Sequence, residues 1–413
     1  MTAIVVQRLE AKGNMTKDVG GSTVEVELAA LRPPASRAGR IGLAEYETRL
    51  EKARGLMATI GADTLLIGAG ASLRYFTGVG WGATERLVAL VLPLRGKPIM
   101  ICPAFERGSL EASLAIEADI RLWEEDENPY ALAAAAAQEA GATLALDPGV
   151  TFLIFNGLRA ADPGLHIVDA ATVVNGCRQV KSAAELALMT EAKQMTLAAH
   201  RAAARMLAPG VAASEVKRFL DTAHRTLGAD NGNSFCAVQF ARATAYPHGL
   251  PGDQILQEGD LVLIDTGCLV QGYNADITRT YVFGEPTGEQ RRIWDIEHAA
   301  QAAAFAAVRP GVPCEDIDNT ARGVLEQHGL GPNYTLPGLP HRTGHGIGLS
   351  IHEPPYLVRG DKTPLASGMC FSNEPMIVLP DEFGIRLEDH FYVTEAGAAW
   401  FTQPSPSIDA PFG

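Results

Sequence analysis

Two stretches of this sequence, 101 residues apart, carry the same pattern of two helices joined by a turn. Residues 200–221 are HRAAARMLAPGVAASEVKRFLD and residues 301–322 are QAAAFAAVRPGVPCEDIDNTAR. In both, an alanine-rich helix ends at Pro-Gly-Val and an amphipathic helix follows a polar cap. Strand-rich stretches come next, at about 235–284 and 340–398. Alanine-rich helices resemble each other by chance, but the matching flanks on both sides of Pro-Gly-Val favour a duplication, with two αα-β halves packed around a shared cleft.

The residues before the repeat predict a separate α/β domain. EYETRLEKARGLMATIG has helical spacing, and the short apolar runs DTLLIG, LVALVLP and KPIMICP predict buried strands, so we expect a mixed sheet with helices that ends near residue 175. Ser182 is a good N-cap for a long helix that stops at Pro209-Gly210. The predicted division is an N-terminal arm over 1–40, an α/β domain over 41–178 and a second domain over 179–413.

Composition and charge exclude several kinds of protein. The 413 residues are 47% apolar and 20% charged, which is typical of a globular protein with a large core rather than of a disordered chain. The formal net charge of −14 argues against a nucleic-acid partner. The six cysteines are scattered without a CxxC pair, which predicts reduced thiols. No signal-peptide core and no membrane-spanning run is evident, so we expect a cytoplasmic protein without a membrane partner.

The stretch LVLIDTGCLVQGYNADITRTYVF predicts a β-hairpin that carries two aspartates. Asp265 is expected at the end of the first strand and Asp276 at the start of the second, which places the two carboxylates opposite each other at about 5 Å. Like charges at that separation destabilise a sheet, whereas a divalent cation between them removes the repulsion. The alternative is that one aspartate caps a turn and the other faces water.

Histidines and glutamates further along the chain supply the rest of a ligand set. The segment HRTGHGIGLSIHEPP contains His341, His345 and His352, and FSNEPMIVLP and GIRLEDHFYVT place Glu374 and Glu388 in apolar strands. A buried carboxylate costs several kcal/mol unless it is paired or bound to a metal. One histidine and four carboxylates suit a pair of divalent ions such as Mn, Fe, Co or Zn, whose charges balance the carboxylates. Two ions about 3.5–4 Å apart share a hydroxide that is scarce in bulk water at neutral pH.

These motifs resemble the pita-bread metallopeptidases of family M24, which include methionine aminopeptidase, aminopeptidase P and prolidase. The resemblance covers residues from about 180 to 398, and SLRYFTGVGW is similar to a motif of the creatinase-type N-terminal domain. It implies a creatinase-like N-terminal α/β domain followed by a pita-bread catalytic domain of two αα-β halves, in a homodimer. It also implies two divalent metal ions, manganese first among the candidates, held by Asp265, Asp276, His345, Glu374 and Glu388.

The activity that the resemblance implies is that of the proline-specific branch of the family, prolidase (Xaa-Pro dipeptidase) and aminopeptidase P. It implies hydrolysis of the bond preceding proline in small Xaa-Pro peptides by a hydroxide that bridges the two metals, with Glu374 accepting the proton of the water. His248, which lies 17 residues before Asp265, is expected to stabilise the oxyanion, and His341 and His352 to contact the substrate on its proline side. The first domain is expected to act as a lid that limits substrate length. The sequence does not decide between a dipeptidase and an aminopeptidase P.

Two arginines and one further histidine complete the candidates. Arg386 lies two residues before Glu388 on a predicted strand, so both side chains share a face. We expect Arg386 to orient a ligand carboxylate or to touch the substrate, and the alternative is an ordinary surface arginine. Arg359 is a weaker candidate for the substrate carboxylate. His390 and the remaining histidines are expected to be packed or exposed, with contact between His390 and Glu388 as the alternative.

Other activities on the same scaffold are alternatives to this hypothesis. A metal-free creatinase lacks the five ligands, and a methionine aminopeptidase needs neither the first domain nor His341. A lyase that resembles dimethylsulfoniopropionate lyase would use aromatic faces near the metals, and Tyr75, Trp81 and Tyr246 are the candidates for them. A binding protein that has lost catalysis is disfavoured by the intact ligand set.

Overall fold

The computed structural model describes residues 18–247 and 249–413. Its first part is an α/β domain in which helices cover one mixed sheet. The elements of this part are α1 Val24–Ala30, α2 Leu43–Thr59, β1 Thr64–Gly68, α3 Ala71–Thr77, β2 Ala89–Pro93, β3 Ile99–Pro103, a 3-10 helix Ala104–Glu106, α4 Arg107–Ser113, β4 Asp119–Trp123, α5 Pro129–Gln138, β5 Thr143–Leu146, α6 Phe152–Ala161, β6 His166–Asp169 and α7 Ala171–Arg178.

The sheet of the first domain has six strands in the order β4-β3-β2-β1-β5-β6. Antiparallel pairs join β1 to β2 and β2 to β3, and the other neighbours are parallel, so the expectation of a mixed sheet is confirmed. The three strands predicted from apolar runs are β1, β2 and β3, which are buried along their whole length. The edge strands β4 and β6 are partly exposed and carry charged residues, and their sequences therefore lack the apolar run that marks a central strand.

The described part of the predicted arm packs against the second domain of its own chain. Val19 is buried, and the backbone N–H of Gly20 donates to the carbonyl of Ala204 at 2.9 Å. Further along, Arg37 forms an ion pair with the buried Glu191. Residues 18–40 are therefore packed on the second domain, and α1, at seven residues, is too short for its pattern to reveal that packing in the sequence. The rest of the arm, residues 1–17, lies outside the described residues.

The second part contains two helix pairs, each followed by strands, as predicted. The helix predicted after Ser182 begins there with a reciprocal cap, in which the Ser182 hydroxyl accepts from the Glu185 N–H and the Glu185 carboxylate accepts from the Ser182 N–H. The elements are α8 Ala183–Met206, α9 Ala213–Leu227, β7 Asn233–Phe240, a 3-10 helix Ala241–Ala245, β8 Leu261–Val270, β9 Tyr273–Asn274, β10 Ile277–Val282, α10 Gly288–Ala307, α11 Cys314–Gln327, β11 Gly344–Gly346, β12 Glu353–Leu357, β13 Cys370–Asn373, β14 Met376–Leu379, β15 Phe383–Arg386, β16 Asp389–Thr394 and β17 Gly397–Trp400.

The two halves of the second domain repeat backbone contacts as well as sequence. The N–H of Gly210, in the turn between α8 and α9, donates to the carbonyl of Leu256 at 2.9 Å. The N–H of Gly311, in the turn between α10 and α11, donates to Leu365 in the same way at 2.8 Å. Both glycines follow the proline of Pro-Gly-Val, and both acceptors precede the strand that forms the centre of their half. The same local structure is thus built twice, as expected for a duplication.

The strands of the two halves are joined at a backbone bridge. The first half forms the sheet β10-β8-β7, and the second forms the sheet β12-β11-β13-β16-β17 with the hairpin β14-β15 beside it. A backbone bridge between Thr278 and Glu388 joins the halves, with the Glu388 N–H donating to the Thr278 carbonyl at 3.1 Å. This junction brings strand residues more than 100 positions apart to one place, and the candidate site lies there.

An ion pair between Arg178 and the buried Glu353 joins the two domains. Glu353, on β12, accepts from Arg178 Nη2 at 2.5 Å and from Lys181 Nζ at 2.7 Å, and these two cations lie where α7 leads into α8. Arg178 belongs to the first domain and Lys181 to the second, so the Arg178–Glu353 pair is satisfied only while both domains are docked. Within the described ranges, no helix combines the length and the apolar character needed to cross a bilayer.

Candidate metal centre

A cavity of about 870 Å³ opens where the two halves of the second domain meet. Every residue that lines it in the described part of the chain belongs to the second domain. Of the predicted site residues, His345 is buried beside the cavity and His248 lies outside the described residues. The lining residues are Lys217, Phe235, Cys236, Ala237, Pro247, Asp265, Asp276, His341, Arg342, Ile351, His352, Val358, Glu374, Arg386 and Glu388.

The two aspartates of the predicted hairpin line the cavity, but the residues they pair with differ from the prediction. Asp265 lies in the middle of β8 rather than at its end, because β8 runs on to Val270 and pairs there with β9. The residue opposite Asp265 is Thr278, and Asp276 directly precedes β10. The expectation that the two aspartates face each other across a short hairpin is therefore wrong in detail. The carboxylate of Asp265 is nevertheless close enough to raise the pKa of Asp276.

A glycine allows the segment of Asp276 to cross closely over β8. A methyl group at Gly267 would overlap with the carbonyl oxygen of Ala275, the residue just before Asp276. Only glycine leaves room for that approach. The bend after β9 is thereby pressed onto β8, two residues from Asp265.

The imidazole of His345 has a defined tautomer. Its Nδ1 lies 3.0 Å from the carbonyl oxygen of Gly346, which can only accept, so Nδ1 carries a proton. Its Nε2 lies 3.1 Å from Glu374 Oε1 and 3.8 Å from Asp276 Oδ2. In neutral His345 this nitrogen points a lone pair at two carboxylates, which is unfavourable unless a cation lies between them.

Burial and mutual repulsion oppose the negative charges in this cluster. Burial raises the pKa of Asp276 well above its usual value, and the charges of Glu388, Asp265 and Glu374 add to the effect. The pKa of Glu388 is raised in the same way, first by burial and then by Glu374 and Asp265. Burial also opposes ionisation of Glu374, yet its hydrogen bond and electrostatic interaction with His345, together with His341 and Arg386, lower its pKa to about 2. The cluster thus carries more buried negative charge than its neighbours neutralise.

Several buried ligand atoms have no hydrogen-bond partner among the described residues. A divalent cation accounts for both the missing partners and the excess negative charge, and oxygen donors with one imidazole suit Mn, Fe, Co or Zn. Three overlapping groups bring one potential ligand atom of each member within 4.8 Å of the others: His345 with Glu374 and Glu388, Asp276 with Glu388 and His390, and Asp276 with His345 and His352. The residues present therefore fit divalent metal ions. The unpartnered atoms are Asp265 Oδ1, Asp276 Oδ1, His345 Nε2 and Glu388 Oε1.

Two hydroxyl groups hold the glutamates in place. Thr278 Oγ1 donates to Glu388 Oε2 at 2.7 Å, and Ser372 Oγ donates to Glu374 Oε1 at 3.0 Å. In Glu388, the carboxylate oxygen that is not held this way is the unpartnered one. Neighbouring groups of this kind fix the orientation of ligands before a metal binds.

Arg386 contacts a carboxylate of the cluster directly. Its Nη2 donates to Asp265 Oδ2 at 2.5 Å and its Nε donates to Thr278 Oγ1 at 3.1 Å. The strand that carries Arg386 ends at this residue, and Glu388 forms a backbone bridge to Thr278 of the first half, while Leu387 between them packs in the core. Both residues still line the cavity, and the contact matches the expectation that Arg386 orients a carboxylate.

The two outer histidines lie on the wall of the cavity. His341 Nδ1 donates to the carbonyl of Arg342 at 2.7 Å, and its Nε2 has no partner among the described residues. Burial lowers the pKa of His341, which keeps the ring neutral at neutral pH. His352 is exposed and packs edge-on against His345 with ring centroids 4.2 Å apart. Partial burial of the ring, followed by His345 and Arg342, lowers the pKa of His352 to about 4.

Other predicted candidates lie away from the cavity. Arg359 is bonded to Asn319 and Asn333 instead, so it is not placed to meet a substrate. The aromatic residues proposed for a lyase do not line the cavity either: Tyr75 is buried in the first domain and donates to the carbonyl of Cys177, and Trp81 packs in the same core. Tyr246 bonds to Asp381 on the surface. The sulfonium pocket that a lyase needs is therefore not formed by these three side chains.

Two residues near the cluster were not among the predicted site residues. His390 is fully buried, neither of its ring nitrogens has a partner among the described residues, and its Nε2 lies 3.6 Å from Glu388 Oε1. The spacing of two from Glu388 was the only signal in the sequence. Arg342 lines the cavity, and its position between His341 and His345 could have indicated this.

Comparison with known proteins places this site in a family. The sequence matches the model of metallopeptidase family M24 over residues 187–395 and that of the creatinase/prolidase N-terminal domain over residues 49–180. A probable dipeptidase, PepE, of Mycobacterium tuberculosis is 36% identical over 358 residues, which cover 86% of this chain and 93% of the relative.

Two solved structures support the same grouping. Dipeptidase PepE from Mycobacterium ulcerans superposes with a TM-score of 0.81 at 36% identity, covering 88% of this chain and 97% of that one. A prolidase from Thermococcus sibiricus superposes with a TM-score of 0.80 at 29% identity, covering 88% and 98% of the two chains. The predicted fold class, an N-terminal creatinase-like domain followed by a pita-bread domain, is confirmed.

Proposed function

The chain belongs to metallopeptidase family M24, and we propose that it hydrolyses the peptide bond preceding proline in short Xaa-Pro peptides. The observation that carries this proposal is the convergence of four carboxylates and one imidazole, of which Asp265, Asp276, His345 and Glu388 each have a buried atom without a partner among the described residues. The relatives named as dipeptidase and prolidase support the choice of substrate.

We propose that Asp265, Asp276, His345, Glu374 and Glu388 hold two divalent ions, with manganese first among the candidates. When bound there, two dications would polarise the scissile carbonyl and lower the pKa of a water molecule. Glu374 then accepts the proton of the attacking water on the oxygen that Ser372 does not hold. Arg386 keeps Asp265 in position through its short hydrogen bond.

The remaining wall of the cavity suits a proline ring. Phe235, Pro247, Ile351 and Val358 provide apolar surface close to the carboxylates. A prolyl bond has no N–H, so the site needs a shaped apolar slot there and no hydrogen-bond acceptor. We assign contact with the proline side to His341 and His352, and stabilisation of the oxyanion to His248.

We also propose how the chain is organised in the cell. The arm spans residues 1–40, the N-terminal domain spans 41–178 and the catalytic domain spans 179–413. The cavity is lined within the described residues by the catalytic domain alone, which supports a homodimer in which the partner's first domain supplies the lid. All six cysteines are free, as expected for the reducing cytoplasm.

Metal and substrate assays test the proposed function. The protein stripped with EDTA should be inactive, and added Mn²⁺ or Co²⁺ should restore cleavage of Ala-Pro. Ala-Ala should be cleaved at least about 100-fold less well, since it lacks the ring that fills the apolar slot. Equal cleavage of the two dipeptides would contradict the proline preference, and full activity after complete metal removal would contradict the mechanism.

The assigned role of His248 gives a separate prediction. His248→Ala should lower kcat by about 10²–10³-fold, the usual effect of removing one oxyanion donor, and leave the metal content unchanged. Metal content is measured by elemental analysis of the purified variant. His166→Ala, at an exposed position of the first domain, is the control and should change neither quantity. Loss of metal in parallel with activity would show that His248 acts as a ligand instead.

A further inference from the structure

A second cavity, of about 410 Å³, is lined by residues of both domains, and we call it the interdomain pocket. Tyr46, Arg49 and Arg74 line it from the first domain, and Gln271 and Leu349 line it from the second. Among the described residues, it shares no lining residue with the cavity of the candidate metal centre. The interdomain pocket is therefore a separate cavity, which the proposed reaction does not use.

Two arginines that line the interdomain pocket lack acceptors for their side chains. Arg40 is exposed and Arg74 is half-buried, and neither guanidinium forms a hydrogen bond or ion pair with any described residue. The guanidinium of Arg74 packs on Gly272, in the turn between β8 and β9, where a Cβ atom would overlap with it. A guanidinium carries five N–H donors and no acceptor. Arg74 is thus held in place while its donors have no partner in the described part of the chain.

The third arginine of the interdomain pocket is already paired. Arg49 Nη1 donates to the carbonyl of Tyr75 at 2.8 Å, and its Cζ lies 4.1 Å from the centroid of the Tyr75 ring. Arg49 Nη2 donates to Glu45 Oε1 at 2.6 Å and lies 3.5 Å from Glu185 Oε2. Arg49 therefore has its counter-ions within the protein, whereas Arg40 and Arg74 have none among the described residues.

One carboxylate also lines the interdomain pocket, but backbone groups hold it. Asp230 Oδ1 accepts from the N–H of Gln271 at 3.0 Å, and Asp230 Oδ2 accepts from the N–H of Gly272 at 2.8 Å. These two bonds fix the turn on which Arg74 packs. Because Asp230 is the only acidic residue among the described lining residues, Arg40 and Arg74 leave the pocket with an excess of positive charge.

We propose that the interdomain pocket binds a small organic anion that carries a phosphate or carboxylate group, with Arg40 and Arg74 as its counter-ions. A guanidinium forms paired hydrogen bonds with either group. The volume of about 410 Å³ is larger than an inorganic ion needs and lies within the usual range of small-molecule sites. Ile41 and Leu349 provide apolar surface for the rest of the ligand.

An anion in this pocket joins the two domains. Arg74 lies on α3 of the first domain and packs on the turn that follows β8, the strand that carries Asp265. A ligand that binds only when both domains are docked stabilises the docked arrangement by mass action. The inference goes beyond the proposed function and depends on none of its steps.

Calorimetric titration of the full-length, metal-loaded protein tests the site, with glycerol 3-phosphate and succinate as probes. We expect the wild type to bind at least one probe with a Kd below about 1 mM, within the usual range for enzymes and small molecules. The probe with the lower Kd identifies the ligand as a phosphate ester or a carboxylate. Arg74→Gln should weaken this binding by about 10- to 100-fold, since it removes hydrogen bonds to a charged group. Arg74→Lys should recover part of it, because the charge is kept.

Two controls place the binding in the interdomain pocket. Arg95→Gln, in the exposed turn between β2 and β3, removes the same charge elsewhere and should leave the Kd unchanged. Cleavage of Ala-Pro by Arg74→Gln without a probe should stay within about two-fold of the wild type, since Arg74 does not line the metal cavity.

Three results would overturn the inference. The first is that the wild type binds neither probe. The second is that binding survives unchanged in Arg74→Gln. The third is that binding survives in Arg74→Gln and disappears after treatment with EDTA, which would place the anion at the metal ions. If Arg74→Gln does not fold, Ser113→Glu takes its place, because Ser113 is an exposed lining residue and an added carboxylate there should repel the probe. Unchanged binding in Ser113→Glu would then count against the site.

Discussion

Replacing Asp276 with asparagine should abolish metal-dependent hydrolysis and at the same time stabilise the metal-free protein. The carboxylate is buried among three others, and its pKa is raised well above the usual range, first by burial and then by Glu388, Asp265 and Glu374. The unfolded chain ionises this group at a lower pH than the folded chain does. The metal-free protein therefore loses stability as pH rises above the unfolded pKa, and asparagine removes that cost.

Metal binding should stabilise the folded wild type but not the Asp276→Asn variant. A ligand at 100 times its Kd stabilises the folded state by about 2.7 kcal/mol, so Mn²⁺ should raise the Tm of the wild type and have little effect on Asp276→Asn. We expect kcat/KM to fall by about 10³-fold or more, because the chemistry depends on the ions that Asp276 helps to hold. Thermal unfolding with and without Mn²⁺, combined with an Ala-Pro assay, measures both effects.

The matched control is Asp409→Asn. Asp409 is half-exposed and pairs with Arg291 on the surface, so this change also removes one negative charge but far from the cavity. It should alter neither activity nor the response of Tm to Mn²⁺. An Asp276→Asn variant that kept full activity in excess metal would contradict the assigned ligand.

Removing Arg279 should give the largest loss of stability. Its guanidinium donates to Asp389 at 2.7 Å, and both side chains are at most 1% exposed. Burial raises the pKa of Asp389, and Arg279 is the main group that opposes this rise. Arg279→Met leaves a buried carboxylate without its counter-ion, which costs about 3–5 kcal/mol in the free energy of unfolding. The loss is read from urea denaturation followed by circular dichroism.

A second substitution separates charge from packing. Arg279→Met combined with Asp389→Asn should recover part of the loss, since a neutral amide still bonds to Gln301 and Thr402 without needing a counter-ion. The exposed pair of Arg291 and Asp409 provides the comparison, and Arg291→Met should cost no more than about 1 kcal/mol. A loss of that small size in Arg279→Met would mean that Asp389 is already neutral in the folded protein.

Arg279 also connects stability to the site. Its Nη1 donates to the backbone carbonyl of Glu388 at 3.0 Å, so the same guanidinium that neutralises Asp389 holds the chain where Glu388 enters the cluster. Arg279→Met should therefore lower metal affinity as well as stability. Neither Arg279 nor Asp389 stood out in the sequence, because each lies in a β-branched or aromatic run that indicates only a strand.

The features that the sequence alone revealed are those produced by neighbours along the chain. The cap at Ser182, the buried strands β1 to β3 and the repeated Pro-Gly-Val turns follow from local patterns of apolar and capping residues, and the structure contains all of them. The spacing of acidic residues and histidines indicated the family; Asp265, Asp276, Glu374 and Glu388 do line one cavity, and His345 lies beside Glu374. Such patterns are readable because helix caps and strand periods involve residues a few positions apart.

The contacts that only the tertiary structure determined join residues far apart in the chain. The place of Asp265 in the middle of β8, the break between Arg386 and Glu388, the packing of residues 18–40 and the buried His390 depend on how the two halves and the two domains fit together. Thr278 and Glu388, for example, are 110 positions apart and yet share a hydrogen bond of 2.7 Å. No local propensity encodes such a pair, because its free energy arises from burial and desolvation that exist only after the halves have packed.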